Sequence, residues 1–432
     1  MFAMLNDVRS AERPCLALAV RAGHIAERNV EGKRFLVNAL RRRHSAVQVG
    51  EGRRRRANSF DVWERFHGGH VHATMLAGRF PSVRFPRASE RGESVATPPM
   101  RTFISGRVLT LFALGLTTLA PGPAAAGHRT GPLPDSFGWS STGPLIGPKP
   151  DAGHPVVSVK DPTVFRSKNL RHPYMTTADG AGAWSLARTS SADWSRAADA
   201  PLAFRDPDPN IGNRHAAVPQ VFHFAPHKLS YTVHQTGPPA YSTTKDPAGP
   251  GRWSAPRSFF DSETPALTES QGSGCWLDFW TICDRSDGYL FSDDNGHQYR
   301  SRTTLAEFPN GFRDTEIVIV EPNCFDLFEA SNVHRLGHSG TYLMLVGALA
   351  TGNDWRRCFR AWTADSPGGT WKPPADTEAN ALIRSNDVTF QDGRSARTKD
   401  FSHGEAIRAG VDRSHSQLPW RLPLLTQTNS SC

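Results

Sequence analysis

Apolar residues along the second half of this chain come in short runs, broken every few positions by Gly, Pro, Asn and Asp. Pro155–Val159, Val218–Phe224, Leu229–Thr236, Tyr289–Ser292, Glu316–Val320 and Tyr342–Val346 each read as a strand. Asp287-Gly288, Asp294-Asn295-Gly296 and Pro367-Gly368 read as turns between strands. No stretch sustains the 3.6-residue period of an amphipathic helix. The pattern predicts an all-β fold: a sandwich, a barrel or a propeller.

Polar residues buried inside such runs refine the choice. Asp161, Gln220, Asp278, Glu329 and His403 follow one another at intervals of 59, 58, 51 and 74 residues. A four-stranded propeller blade takes about 40–60 residues. Five blades would each point one polar residue at a central axis. A β-sandwich accommodates the same strands and stays open on this evidence.

Charge divides the chain in two. Residues 1–99 hold 18 Lys+Arg against 9 Asp+Glu, which is the whole of the net +9; residues 100–432 balance at 32 against 32. The basic character therefore belongs to the first quarter, and a nucleic-acid-binding function for the whole protein is not expected. That quarter carries Arg41–His44 and Arg53–Arg56 and no sustained period. Met100 then opens a run with Arg101 and Arg107, an apolar stretch from Val108 to Leu119, and Ala124-Ala125-Ala126. These are the three parts of a secretory signal peptide, too short to span a membrane. The expectation is that 1–99 is a mis-assigned extension without fixed structure, that 100–126 is the signal peptide, and that 127–432 is one secreted, monomeric domain. Residues 127–150 read as an extended leading segment. Five cysteines follow (Cys275, Cys283, Cys324, Cys358 and Cys432), an odd number with no C-x-x-C spacing, so a zinc site is not expected.

The candidate chemistry lies in three carboxylates set in apolar frames, where burial is costly without a partner. Asp161 lies in S-V-K-D-P, Asp278 in C-W-L-D-F-W and Glu329 in L-F-E-A-S-N. Glycoside hydrolysis needs one carboxylic acid on the leaving oxygen and one carboxylate on water or on the sugar. A third can tune the acid. Asp161 also reads as a turn aspartate, Asp278 as a buried carboxylate bonded to backbone, and Glu329 as a strand end. His403 in D-F-S-H-G-E reads as structural or as a metal ligand, and Glu405 is a rival acid. No nucleophile elbow, phosphate loop or dinucleotide fingerprint is present.

These segments, together with F-G-W-S-S-T-G-P-L-I, A-V-P-Q-V-F-H-F-A-P, F-S-D-D-N-G-H-Q-Y-R-S and L-L-T-Q-T-N-S-S-C, run in order over nine-tenths of 127–432. In them the chain resembles glycoside hydrolase family 62, secreted α-L-arabinofuranosidases. The resemblance implies a five-bladed β-propeller that removes single arabinofuranose side chains from arabinoxylan with inversion. It implies Asp161 as general base, Glu329 as general acid and Asp278 as the residue that raises and orients the acid. It also implies Lys160, Gln220, Trp280, Asn332 and Arg360 in the arabinose pocket, and one calcium ion at His403 with no organic cofactor. Departures are equally specific. Gly131-Pro132-Leu133 stands where the family has a cysteine partnering Cys432. Ser230 and Cys275 replace aromatics, Ser230 in the xylan groove. Between Arg408 and Leu418 the chain is short, so the last blade is expected to be incomplete. A related β-xylosidase or arabinanase, or a non-catalytic carbohydrate-binding propeller, remains the alternative.

Overall fold

The computed structural model describes Leu133 and most of residues 136–429, with breaks of which 261–275, 351–355, 391–397 and 412–422 are the longest, together with the backbone of Val71–Gly78. The structure is an all-β propeller. The first sheet is β3 (Val156–Ser167), β4 (Leu170–Asp179), β5 (Trp184–Arg188) and β6 (Ala203–Phe204). The second is β7 (Ala217–Phe224), β8 (Leu229–Gln235), β9 (Pro239–Thr244) and β10 (Arg257–Ser258). The third is β11 (Leu277–Cys283), β12 (Asp287–Asp294), β13 (His297–Thr304) and β14 (Arg313–Val320). The fourth is β15 (Glu329–Arg335), β16 (Tyr342–Leu349), β17 (Arg357–Ala364) and β18 (Lys372–Ala375). Each is an antiparallel meander, as short strands joined by tight turns require. Four of the six strand expectations fall inside these elements, and Pro155–Val159 and Leu229–Thr236 each overrun theirs by one residue. Asp287-Gly288, read as a turn, opens β12 instead; the turn lies just before it, where the Asp284 carboxylate accepts from the Ser286 and Asp287 N–H groups.

A fifth sheet is assembled from distant parts of the chain. Its order is β19 (Val388–Phe390), β2 (Trp139–Ile146), β1 (Val71–Gly78), β21 (Pro423–Asn429) and β20 (Ser402–Ala406). β1 pairs with β2 on one side and with β21 on the other, both antiparallel. β1 lies within 1–99, so eight residues of the expected unstructured extension are the middle strand of this sheet. The reason is geometric. β1 occupies the place between β2 and β21, bonded along its length to both. Residues 127–150 are likewise more than an extended lead, since they contain β2. The leader at 100–126, Cys275 and Cys432 lie outside the described residues.

The first strands of four sheets and β20 of the fifth pack side by side in cyclic order: β3, β7, β11, β15, β20 and back to β3. Apolar clusters fill the spaces between neighbouring sheets. One joins Phe222, Phe224 and Tyr231 to Phe279, Leu290 and Phe308; another joins Trp280 and Phe291 to Val333, Met344 and Trp362. Among the described residues, no helix is long and apolar enough to cross a membrane.

Candidate active site

Each of the five central strands has a break in its regular pairing that contains a non-glycine residue with positive φ; β3 has a second break, at Val156–Ser158, without one. The residues so placed are Asp161 (51°), Val218 (53°), Asp278 (58°), Ala330 (68°) and His403 (31°). Such a conformation is costly for L-residues, most of all for a β-branched one such as Val218. A bulge re-aims the side chains beside it, and strain of this kind gathers at functional sites. Gly347 permits the fourth break: a Cβ there would lie 2.8 Å from the Glu329 carbonyl oxygen.

The bulges bring Asp161, Asp278, Glu329 and His403 into one buried cluster, all 5% exposed or less. His403 is at its centre. Its Nδ1 is 2.8 Å from Asp161 Oδ1, and its Nε2 is 3.0 Å from Asp278 Oδ2 and 3.7 Å from Glu329 Oε1. Those contacts place the Asp161 and Glu329 carboxyls on the two nitrogens of one imidazole ring. Asp278 Oδ2 also accepts from the Ala330 N–H at 2.7 Å. The Asp278 N–H donates to Gln235 Oε1 at 3.1 Å. Behind it, Asp293 accepts from the Ser331 N–H at 2.7 Å.

Electrostatics sort these groups. Burial pushes the Asp161 carboxyl up, but the His403 charge and hydrogen bond, with Lys160 beside it, more than offset this and hold it well below the usual range. Asp161 is therefore ionised, as a base must be. Burial alone would push the His403 imidazole down; Asp278 and Asp161 reverse this and hold it at about 10. Burial and the Asp278 charge push Asp293 well up, against the Ser331 N–H that favours its ionised form. Lys160 is buried, with its ammonium 3.2 Å from the centroid of the Trp184 ring.

Three expected pocket residues have other work. Gln220 donates to the Thr281 carbonyl and accepts from the Thr281 N–H, both at 2.7 Å. Trp280 Nε1 donates to the Val333 carbonyl at 2.8 Å. Asn332 Nδ2 donates to the Gly404 carbonyl at 2.8 Å, and its Oδ1 meets His334 Nε2 at 2.8 Å. Each lies two residues after its bulge and ties its sheet to the next. Glu405 continues the series into the first sheet, accepting from Thr163 Oγ1 at 2.7 Å and the Val164 N–H at 3.1 Å. Thr163 passes it on, accepting from the Val221 N–H at 3.4 Å. The five links form a closed ring around the axis. They engage both polar atoms of Gln220 and the indole N–H of Trp280. Glu405, the rival acid, is one of these links; burial pushes its carboxyl up although Arg408 opposes this.

Arg360 is not in the cluster. Its guanidinium donates to Asp326 and to the Asp376 carbonyl, both at 2.6 Å. Three residues earlier on β17, Arg357 faces the other way and donates to Glu329 Oε1. Residues three apart on a strand point to opposite faces. Ser230 is buried and pairs with His223, at the end of β7–β8 remote from the bulge. Among the described cysteines, Cys324 is disulfide-bonded, whereas Cys283 and Cys358 are buried thiols outside any disulfide.

Ligand atoms of Asp278, Glu329 and His403 all lie within 4.8 Å of one another. Two ligands across a calcium ion at about 2.3–2.6 Å subtend such a span, so Asp278 and His403 would fit one cation, with water as the remaining ligands, once His403 gives up the proton it holds in the metal-free site.

The sequence profile of Glycosyl hydrolase family 62 matches residues 138–432. The chain belongs to this family. It is 40% identical over 294 residues to "Alpha-L-arabinofuranosidase C" of Cellvibrio japonicus (strain Ueda107), across 67% of this chain and 43% of that relative, so it spans less than half the relative's length. Among solved structures it is similar to the catalytic domain of a GH62 α-L-arabinofuranosidase from Coprinopsis cinerea. There the identity is 42% and the TM-score 0.63, covering 69% of this chain and 100% of that one. A GH62 hydrolase in complex with xylotriose is 37% identical, with a TM-score of 0.61 over 68% of this chain and 98% of that one.

Proposed function

We propose that this chain is a secreted, monomeric α-L-arabinofuranosidase. It removes terminal arabinofuranose side chains from arabinoxylan with inversion of configuration. The observation that carries this reading is the meeting of Asp161, Asp278 and Glu329 around His403 from four different sheets, in a chain of glycosyl hydrolase family 62. The relative in complex with xylotriose supports a xylan-type backbone beneath the arabinose. We take the fifth sheet as a fifth blade, because the ring of links runs through it in both directions.

In this mechanism Asp161, held ionised, takes a proton from water as the oxygen attacks the anomeric carbon. Glu329 gives its proton to the glycosidic oxygen as the C–O bond breaks, and the electron pair stays with the leaving oxygen. Asp278 orients the acid through the Ala330 N–H beside it. Lys160, on its Trp184 platform, faces the base side of the pocket. His403, with Asp278, would hold a calcium ion, and that ion would supply a fixed positive charge on the axis.

The test is arabinose release from wheat arabinoxylan, with anomers followed by proton NMR. The β-anomer should accumulate first. Glu329→Gln and Asp161→Asn should each lower the rate by about 10²–10⁴-fold. Retention of more than about a tenth of the rate in either variant would overturn the roles. Initial release of the α-anomer would overturn inversion.

A further inference from the structure

We propose that Arg357 is the positioning residue of the general acid: it fixes which carboxylate oxygen of Glu329 carries the proton and receives the negative charge left after transfer. The inference rests on the reading of Glu329 as the acid. Arg357 is one-tenth exposed at its side chain and Glu329 one-hundredth. The guanidinium Nη1 donates to Glu329 Oε1 and, at 3.2 Å, to Ser402 Oγ. Its central carbon lies 5.4 Å from the centroid of the Phe328 ring. The backbone is pinned as well, since the Arg357 N–H donates to Asp400 Oδ1 at 3.0 Å and its carbonyl accepts from the Phe401 N–H at 3.2 Å. Two sheets and an aromatic face thus hold one cation on one oxygen.

The chemistry follows from that contact. A guanidinium has only donors, so Oε1 cannot carry the transferable proton along the direction Arg357 fills. The proton belongs on Oε2. When it passes to the glycosidic oxygen, the pair from the broken O–H bond stays on the carboxylate, and the new anion already has its charge-assisted partner. Arg357 therefore acts through Glu329 and does not itself meet the sugar.

Such a role is visible in leaving-group dependence. An acidic phenol departs without protonation, whereas an alkyl or xylosyl oxygen needs the proton. Arg357→Met should lower kcat/KM on arabinoxylo-oligosaccharides by about tenfold or more, yet change it by less than about threefold on 2,4-dinitrophenyl arabinofuranoside. Arg357→Lys, which keeps one donor, should recover part of the loss. If Arg357→Met does not fold by near-UV circular dichroism, the same bias is read on Arg357→Lys. Equal losses on all leaving groups, or none, would overturn the proposal. Glu329→Gln run alongside separates the two failures. Its own lack of leaving-group bias would remove Glu329 as acid, whereas bias in Glu329→Gln without bias at Arg357 removes only the positioning role.

Discussion

Gln220 separates a pocket from a frame. Gln220→Leu keeps nearly the same volume and removes both polar atoms. In the folded protein the side chain is 2% exposed, and each atom makes a 2.7 Å bond to the Thr281 backbone. The substitution leaves a buried N–H and a buried C=O without partners. Each such orphan costs about 1–3 kcal/mol, so the loss should be about 2–6 kcal/mol. Chemical denaturation followed by tryptophan fluorescence reads it directly. A thermal scan should fall by at most about 2–4 °C for each kcal/mol. KM for an aryl arabinofuranoside should stay within about threefold, because the Gln220 amide is buried and engaged with the Thr281 backbone. A stability loss under about 1 kcal/mol together with a tenfold rise in KM would refute the reasoning and return the amide to the pocket.

Glu405→Ala should cost about 3–5 kcal/mol in the same denaturation assay, because it strands the buried Arg408 guanidinium and breaks the link from the fifth sheet to the first. Glu405→Gln, which keeps an acceptor for Thr163 and Val164 but removes the charge, should cost less, and a cost near zero would show that the ion pair contributes nothing. Stability should also fall as pH rises from about 6.5 toward 10, by at most about 1.4 kcal/mol per unit. Folded His403 keeps across that window a proton that the unfolded chain releases, so its contribution is complete below the window and lost above it. Denaturation at pH 7 and pH 9 checks this, and a His403→Asn variant with the same slope would assign the effect elsewhere.

Much of the site was legible because it rests on misplaced charge. Asp161, Asp278 and Glu329 each interrupt an apolar run, and the structure brings them together with His403. What the sequence could not separate was the axis from the frame around it. Asp161, Asp278 and His403 at their bulges, and Gln220, Asn332 and Glu405 two positions after theirs, are all polar and buried. Only the bulge decides which faces the centre, and no local residue type announces a positive φ at Asp161 or Val218. That is why Gln220, Trp280 and Asn332 read as sugar ligands and proved to be links. Arg360 was chosen over Arg357 for a similar reason. The two are three apart on one strand, and the face that meets Glu329 depends on how β15 pairs with β16. β1 left no trace because eight residues without a turn signal or a clear alternation, inside a basic tract, do not identify their partner strands.

β1 also bears on how a finished molecule could be made. Cleavage after Ala126 would part it covalently from β2, since the two strands lie on opposite sides of that bond. A processed enzyme would keep β1 only as a separate peptide held by backbone bonds, in register with seven residues of β21 and five of β2. Without it, β2 and β21 would face each other across a strand-wide slot, with both edges open to pairing. Such a slot accepts any extended segment of suitable length, including the same segment of another copy. The seam of the propeller is thus also its point of strand exchange, and one short peptide decides whether the fifth sheet is continuous.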